Sequence, residues 1–475
     1  MSKFVFFLAM FCFVSCSRVW EKPDYEKIYS DYSPKAFPKE TKQKQIEKTI
    51  DITASIRVAL SDSPDLQAMS YRIERAKGFL IQSQASLMPT LDLRWGYFHA
   101  DSPATYFATK LEQHKFQLEG DLNKPGDFGS SQLGLRAAYN FNLAGVSLLQ
   151  KKVADLEVAV AQNQKEVVTN MLVDAVILAF YDALAAKQLI HIADQSIQTV
   201  QSQLEETLVK FQGGSALKSD VLALKVRIAQ AKENAIKAKN RYRLSLEGLL
   251  YLMGLSPVYE IELVEQDWNP TSFPQNSQEG IVFALGNRPE LKQARNKIFA
   301  ARYGLDIAKG SYAPNLDLFA SYSFEDRDVK YSSNRDNWQV GLGISWRFFD
   351  GFLAKGKEKA ARAFLQEMLT MDRKATLMVE HEVSSSYRNY EEAQEREKVM
   401  SLAQEEAEEN LFLVKKQFEG GSATITKYLD AELALTSSRF LLIAARYDIK
   451  KAKASVGKAL GLCGQCAREL QGENQ

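Results

Sequence analysis

The sequence predicts an α+β membrane protein made of two tandem structural repeats, each joining a β-hairpin to a very long α-helical hairpin. Three observations carry this prediction. Matched blocks recur at constant offsets, short stretches alternate apolar and polar residues, and two runs of more than sixty residues contain neither Gly nor Pro.

Matched blocks in the same order at fixed offsets are the mark of a tandem repeat. Ser63-Pro64-Asp65-Leu66 matches Arg288-Pro289-Glu290-Leu291, and Pro89-Thr90-Leu91-Asp92-Leu93 matches Pro314-Asn315-Leu316-Asp317-Leu318, both 225 positions on. Phe211-Gln212-Gly213-Gly214-Ser215-Ala216 matches Phe418-Glu419-Gly420-Gly421-Ser422-Ala423, and Met253-Gly254-Leu255 matches Leu460-Gly461-Leu462, both 207 positions on. The offset changes once, between Leu93 and about Tyr139, so the first half carries 18 extra residues there. An insertion that leaves the flanking registers intact belongs in an exposed loop. The division that follows is a signal segment at 1–15, a tether at 16–49, repeat 1 at 50–275 and repeat 2 at 276–475. Repeat 1 has its β-hairpin at about 90–142 and its helical hairpin at 145–253; repeat 2 has them at about 315–348 and 351–462.

Four stretches alternate with period two. Leu91, Leu93, Trp95 and Tyr97 share one face, as do Leu133, Leu135, Ala137, Tyr139 and Phe141. In the second half, Leu316, Leu318, Ala320, Tyr322 and Phe324 repeat the pattern, and so do Trp338, Val340, Leu342, Ile344 and Trp346. Strands of about ten residues with aromatics towards their ends suit a tilted membrane strand, with lipid on one face and a polar lumen on the other. A soluble hairpin packed on a core has the same alternation. The connecting segments 99–130 and 325–337 are polar and read as loops.

A long helix follows each hairpin. Residues 146–212 and 357–419 are free of Gly and Pro, and each run spans about 100 Å at 1.5 Å per residue. Val146, Leu149, Val153, Leu156, Val160 and Val167 step at coiled-coil spacing. Gly213-Gly214 and Gly420-Gly421 end these helices in tight turns, and returning helices follow.

The net charge of +1 excludes the basic field that nucleic-acid binding requires. Enzyme chemistry is not visible. The four histidines, His99, His114, His191 and His381, form no metal motif. Glu405-Glu406 and Glu408-Glu409 fall on a polar helix face, and the glycines and serine of 341–345 lie within a strand, not at a nucleophile elbow. No cofactor or metal is expected. Cys463 and Cys466 have redox spacing without a βαβ context, which leaves a local disulfide or two inert thiols.

The N-terminus reads as an export signal: Lys3 precedes an apolar run from Phe4 to Val14, too short to span a bilayer. Ser15-Cys16 after it resembles a lipoprotein cleavage site, with Cys16 as the acylated residue. No other stretch reads as a transmembrane helix, so any spanning must be done by strands. Four strands cannot close a barrel. Two chains would supply eight strands and three would supply twelve, the latter with room for a channel. A structural coiled-coil lipoprotein scaffold in the periplasm is the alternative reading.

Taken in order, Trp346-Arg347-Phe348-Phe349-Asp350-Gly351 and the two Phe-x-Gly-Gly-Ser turns resemble the TolC-like outer-membrane efflux protein family, over nearly all of the chain after about Thr49. The resemblance implies a homotrimer in outer-membrane lipid, with a twelve-stranded barrel continued by a periplasmic helical tunnel. It also implies docking of a periplasmic adaptor, linked to an inner-membrane pump, at tips carrying Phe211, Gly213, Gly214, Ser215 and Asp220, and Phe418, Gly420, Gly421 and Ser422. Family members can gate the tunnel with aspartates at the second tip. Asp430 matches one such position, and Lys427 occupies the other. Asp220 is the repeat equivalent of Lys427, and Ala223 that of Asp430, which suggests a mixed ring with Asp220 and Lys427 close across neighbouring hairpins.

Overall fold

The computed structural model describes residues 28–29, 48–117, 123–124, 126–269, 274–327, 331 and 334–471. Cys16 and most of the 16–49 tether lie outside the described residues. The remainder, from Ile50, forms one compact unit.

Two helices of 67 residues dominate it, α4 (Val146–Gln212) and α8 (Leu353–Glu419). The first has the bounds that its Gly- and Pro-free run predicts. The second begins four residues before its run, because Gly356 is accommodated inside the first turn, its N–H donating to the Phe352 carbonyl at 3.0 Å. Each is answered by a returning helix, α5 (Lys218–Leu252) after α4 and α9 (Ile425–Leu460) after α8.

Shorter helices fill the remaining length. They are α1 (Ile52–Asp62), α2 (Pro64–Ala85), α6 (Ser277–Asn287), α7 (Pro289–Gly310) and the C-terminal α10 (Leu462–Gln471). Asp51 and Asn276 cap α1 and α6, their side-chain oxygens accepting the N–H groups of Ala54 and Glu279 at 2.6 and 2.9 Å. Pro64 and Pro289 open α2 and α7 at the first helical position, where a missing N–H has no consequence.

The middle of α4 corrects one expectation. A window of this helix is long and apolar enough to cross a membrane by composition, but most of it is buried inside the chain. Val173, Val176, Ile177, Phe180 and Ala183 are at most 1% exposed, so packing accounts for their hydrophobicity.

Besides a two-residue pairing of Thr49–Ile50 with Glu262–Leu263, the four long strands form an antiparallel sheet in the order β1 (Thr90–Ala100), β2 (Phe128–Asn142), β3 (Asn315–Asp326), β4 (Asp336–Ser345). The two hairpins therefore join through β2 and β3, and β1 and β4 are the edges. Segment 99–130 is not simply a loop: it contains α3 (Pro103–Glu112), opened by Pro103.

Register separates the two faces, because directly opposed residues project to the same side. One row runs Leu91, Ala137, Ala320, Val340, and another Leu93, Leu135, Tyr322, Trp338. The alternate rows run Asp92, Arg136, Ser321, Gln339 and Arg94, Gly134, Ser323, Asn337. Leu91, Leu93, Trp338 and Val340 are all more than 70% exposed. A broad apolar face open on this scale needs a covering medium.

Candidate channel and docking site

The two helical turns are built alike. At the first, Gly214 sits at φ +80°, and the Ser215 N–H and hydroxyl donate to the Lys210 carbonyl at 2.8 and 3.0 Å. At the second, Gly421 sits at φ +75°, and the Ser422 N–H and hydroxyl donate to the Gln417 carbonyl at the same two distances. Glycine supplies the left-handed residue, and serine satisfies a helix-end carbonyl twice over.

Helices α5 and α9 then start with side-chain caps. The Leu217 N–H donates to Asp220 Oδ2 at 3.1 Å, and the Lys427 N–H donates to Thr424 Oγ1 at 3.4 Å. The Asp220 carboxylate is thus engaged with its own helix end, where the dipole favours an anion. Lys427 Nζ donates to Gln417 Oε1 at 3.2 Å, across its own turn. Within one chain the structure brings Lys427 to Gln417 and not to Asp220. Asp430 lies exposed one turn further along α9, and Ala223 is half-buried.

Phe418 connects the two tips. Its ring stacks on Tyr428 at 5.7 Å, and Lys210 of the other hairpin places its ammonium 5.8 Å from the same ring. Phe211, its sequence counterpart, is 40% exposed. Behind them lies a small core of Val200, Leu224, Ile228, Val414, Ile425 and Tyr428. Burial pushes the Tyr428 hydroxyl up to about 12, helped by the carboxylates of Glu432, Glu206 and Glu419. A groove lined by Leu217, Asp220, Phe418, Gly421 and Thr424 runs between the tips.

Sequence reading missed a polar cluster above this core. Glu432 on α9 is 2% exposed and accepts from Arg227 on α5 at 2.7 and 2.8 Å, from Ser196 on α4 at 2.7 Å and from Thr436 at 2.9 Å. It ties both helical hairpins together inside one chain. The only sequence signal for it was a charged residue at a position that helical periodicity assigns to the core.

Further up, Arg288 is buried with Glu290 and Glu382 at 2.8–3.0 Å, and its guanidinium also donates to the Ala459 carbonyl at 2.9 Å. Burial alone would lower its pKa, but the two carboxylates reverse the sign and raise it. Cys463 and Cys466 lie in α10 without a disulfide between them, and burial pushes the Cys463 thiol well above its ordinary value, opposite to what a reactive thiolate requires. No cluster of metal-ligating side chains occurs among the described residues.

On the polar face of the sheet, Arg136 lies over the Phe319 ring at 5.3 Å, and Asn142 Nδ2 donates to Asn315 Oδ1 at 2.8 Å. Asn140 bonds Asp317 across the same strand pair. The face carries opposite charges in neighbouring positions, with Asp92 directly facing Arg136.

Known proteins share this fold. The chain is 23% identical over 429 residues to the alkaline protease secretion protein AprF of Pseudomonas aeruginosa, with 88% of this chain and 85% of AprF covered. It is 21% identical over 430 residues to the outer membrane protein TolC of Escherichia coli, with 88% and 83% covered. The crystal structure of the outer membrane protein VceC of Vibrio cholerae superposes with a TM-score of 0.75 at 20% identity, covering 86% of this chain and 96% of VceC. The sequence profile described as Outer membrane efflux protein matches residues 55–255 and 281–462. The chain therefore belongs to the outer membrane efflux protein family, as a TolC-like protein of the outer membrane.

Proposed function

We propose that three copies of this chain close a twelve-stranded barrel in the outer membrane and continue it as a helical tunnel through the periplasm. Cargo is passed outward from an inner-membrane pump through a periplasmic adaptor. The observation that carries this reading is the four-stranded sheet, with one apolar face, one polar face and two unpaired edges, β1 and β4. Such an edge in lipid leaves backbone groups unsatisfied at several kcal/mol each, and pairing with neighbouring copies removes that penalty. Twelve strands leave room for a water-filled lumen. The chain contributes no catalytic chemistry in this reading; it is a conduit.

The tandem repeat then gives each chain two tips, Phe211 to Ser215 and Phe418 to Ser422, as the adaptor-docking surface. Asp430 and Lys427 ring the tunnel entrance, and acylation of Cys16 adds a second membrane anchor. Cargo selection is left to the pump, because a wide aqueous tunnel makes few specific contacts. Outer-membrane extracts separated with and without heating test the assembly: the proposal expects a heat-modifiable trimer band, and a monomer in the soluble fraction contradicts it. Mutating Asp430 and Lys427 to Ala tests the gate, for which unchanged single-channel conductance and selectivity is the contrary result.

A further inference from the structure

The short helix α3 lies on the polar face of the sheet, at the end remote from the long helices. Tyr106 packs edge-on against Phe128, with ring centroids 5.3 Å apart. Gln113 Nε2 donates to Ser130 Oγ at 3.1 Å, and Asn337 Nδ2 donates to the Glu112 carbonyl at 2.9 Å. By strand alternation, Phe128 and Ser130 share the face of Arg136, and Asn337 shares that of Gln339. Each of these contacts places α3 over the surface that faces the lumen if three sheets close into a barrel.

The opposite side of α3 is apolar. Thr109 and Gln113 are buried towards the sheet, whereas Phe107 and Leu111 are 44% and 48% exposed, with Ala104 and Ala108 exposed beside them. Phe116 packs against the Phe107 ring at 4.7 Å and holds it in place. The helix is tied to the second loop as well as to the sheet, with His114 Nδ1 donating to the Asn334 carbonyl at 3.0 Å. A rigidly held helix showing Phe and Leu to a polar lumen is unexplained in the single chain. In a closed three-copy assembly the surfaces facing it across the axis are the same faces of the other two copies.

We propose that Phe107 and Leu111 of the three copies form an apolar constriction at the external outlet. The inference rests on the channel reading given above. A narrow apolar ring limits passage by shedding water, so it sets a size and polarity limit separate from any gate at the helical tips. Its position in the longer of the two hairpin loops places this limit on one side of the repeat only.

Single-channel recording on the purified full-length protein in planar bilayers tests this. The double substitution Phe107→Ser, Leu111→Ser should raise conductance by about twofold or more, while Phe107→Leu should leave it near the wild-type value. Both side chains are half-exposed, so neither substitution empties a core. As a second measurement, Phe107→Cys under mild oxidant should give an inter-chain disulfide on non-reducing gels and lower the conductance, with reductant reversing both. Wild-type channels whose conductance is unchanged in the double serine variant overturn the constriction and leave the channel intact. A wild-type protein that opens no channels overturns the channel reading itself.

Discussion

The guanidinium of Arg227 meets the carboxylate of Glu432 at 2.7 Å across 205 positions of sequence, with side chains only 9% and 2% exposed. The pair joins α5 of the first hairpin to α9 of the second. Removing one partner leaves a buried charge without compensation, which costs about 3–5 kcal/mol. Replacing both by apolar residues of similar volume costs much less. Arg227→Met and Glu432→Leu, singly and together, should therefore show strong positive coupling in denaturation of the detergent-solubilised protein, with the double variant more stable than either single one.

The tip glycines separate backbone conformation from packing. An added Cβ at Gly214 or Gly421 meets nothing within 4 Å, yet both residues have positive φ. Gly213, at φ −80°, has ordinary helical geometry. Gly214→Ala and Gly421→Ala should each destabilise their turn by about 1 kcal/mol, and Gly213→Ala should be near neutral. Limited proteolysis at the tips reads this directly, since the global unfolding transition is set by the longer helix contacts.

On the sheet, Gly341 lies against the Phe319 ring, so a Cβ there collides with it, whereas Gly343 faces open space. Gly341→Ala must displace Phe319 and with it the Arg136 stack. The heat-modifiable band should shift to a lower temperature in Gly341→Ala, by several degrees, and stay put in Gly343→Ala.

Three buried tyrosines, Tyr387, Tyr428 and Tyr447, have their hydroxyls pushed up to about 12 from 10, chiefly by burial. The folded state thus holds these protons more tightly than the unfolded chain. Their contribution to stability is complete below pH 10 and is lost as pH rises from 10 through about 12. Alkaline titration followed by tyrosinate absorbance and circular dichroism should show a late ionisation step accompanied by helix loss. Tyr428→Phe should remove its share and protect the tips in this range.

The long elements were legible because their signals are local. A run of residues without Gly or Pro gave α4 to the residue, and period-two alternation gave the sheet faces that the register displays. Helix α3 was hidden inside a polar segment, being ten residues long and too short to show a full apolar stripe. The Arg227–Glu432 pair was hidden for a different reason: periodicity identifies buried positions but not which distant charge will meet them. Asp220 shows a further gap. Its repeat equivalence to Lys427 suggested a place in a mixed ring, and no sequence signal revealed that its carboxylate also caps the start of α5.

In the proposed channel, one face of the sheet meets lipid and the other meets a water-filled lumen. Single cysteines at Gln339 and Ser321 on the polar rows, and at Val340 and Ala320 on the apolar rows, test it by reaction with a membrane-impermeant maleimide during bilayer recording. Rapid labelling and a fall in conductance are expected at Gln339→Cys and Ser321→Cys, with Val340→Cys and Ala320→Cys unlabelled. Labelling of all four alike, or of the apolar rows alone, would contradict it.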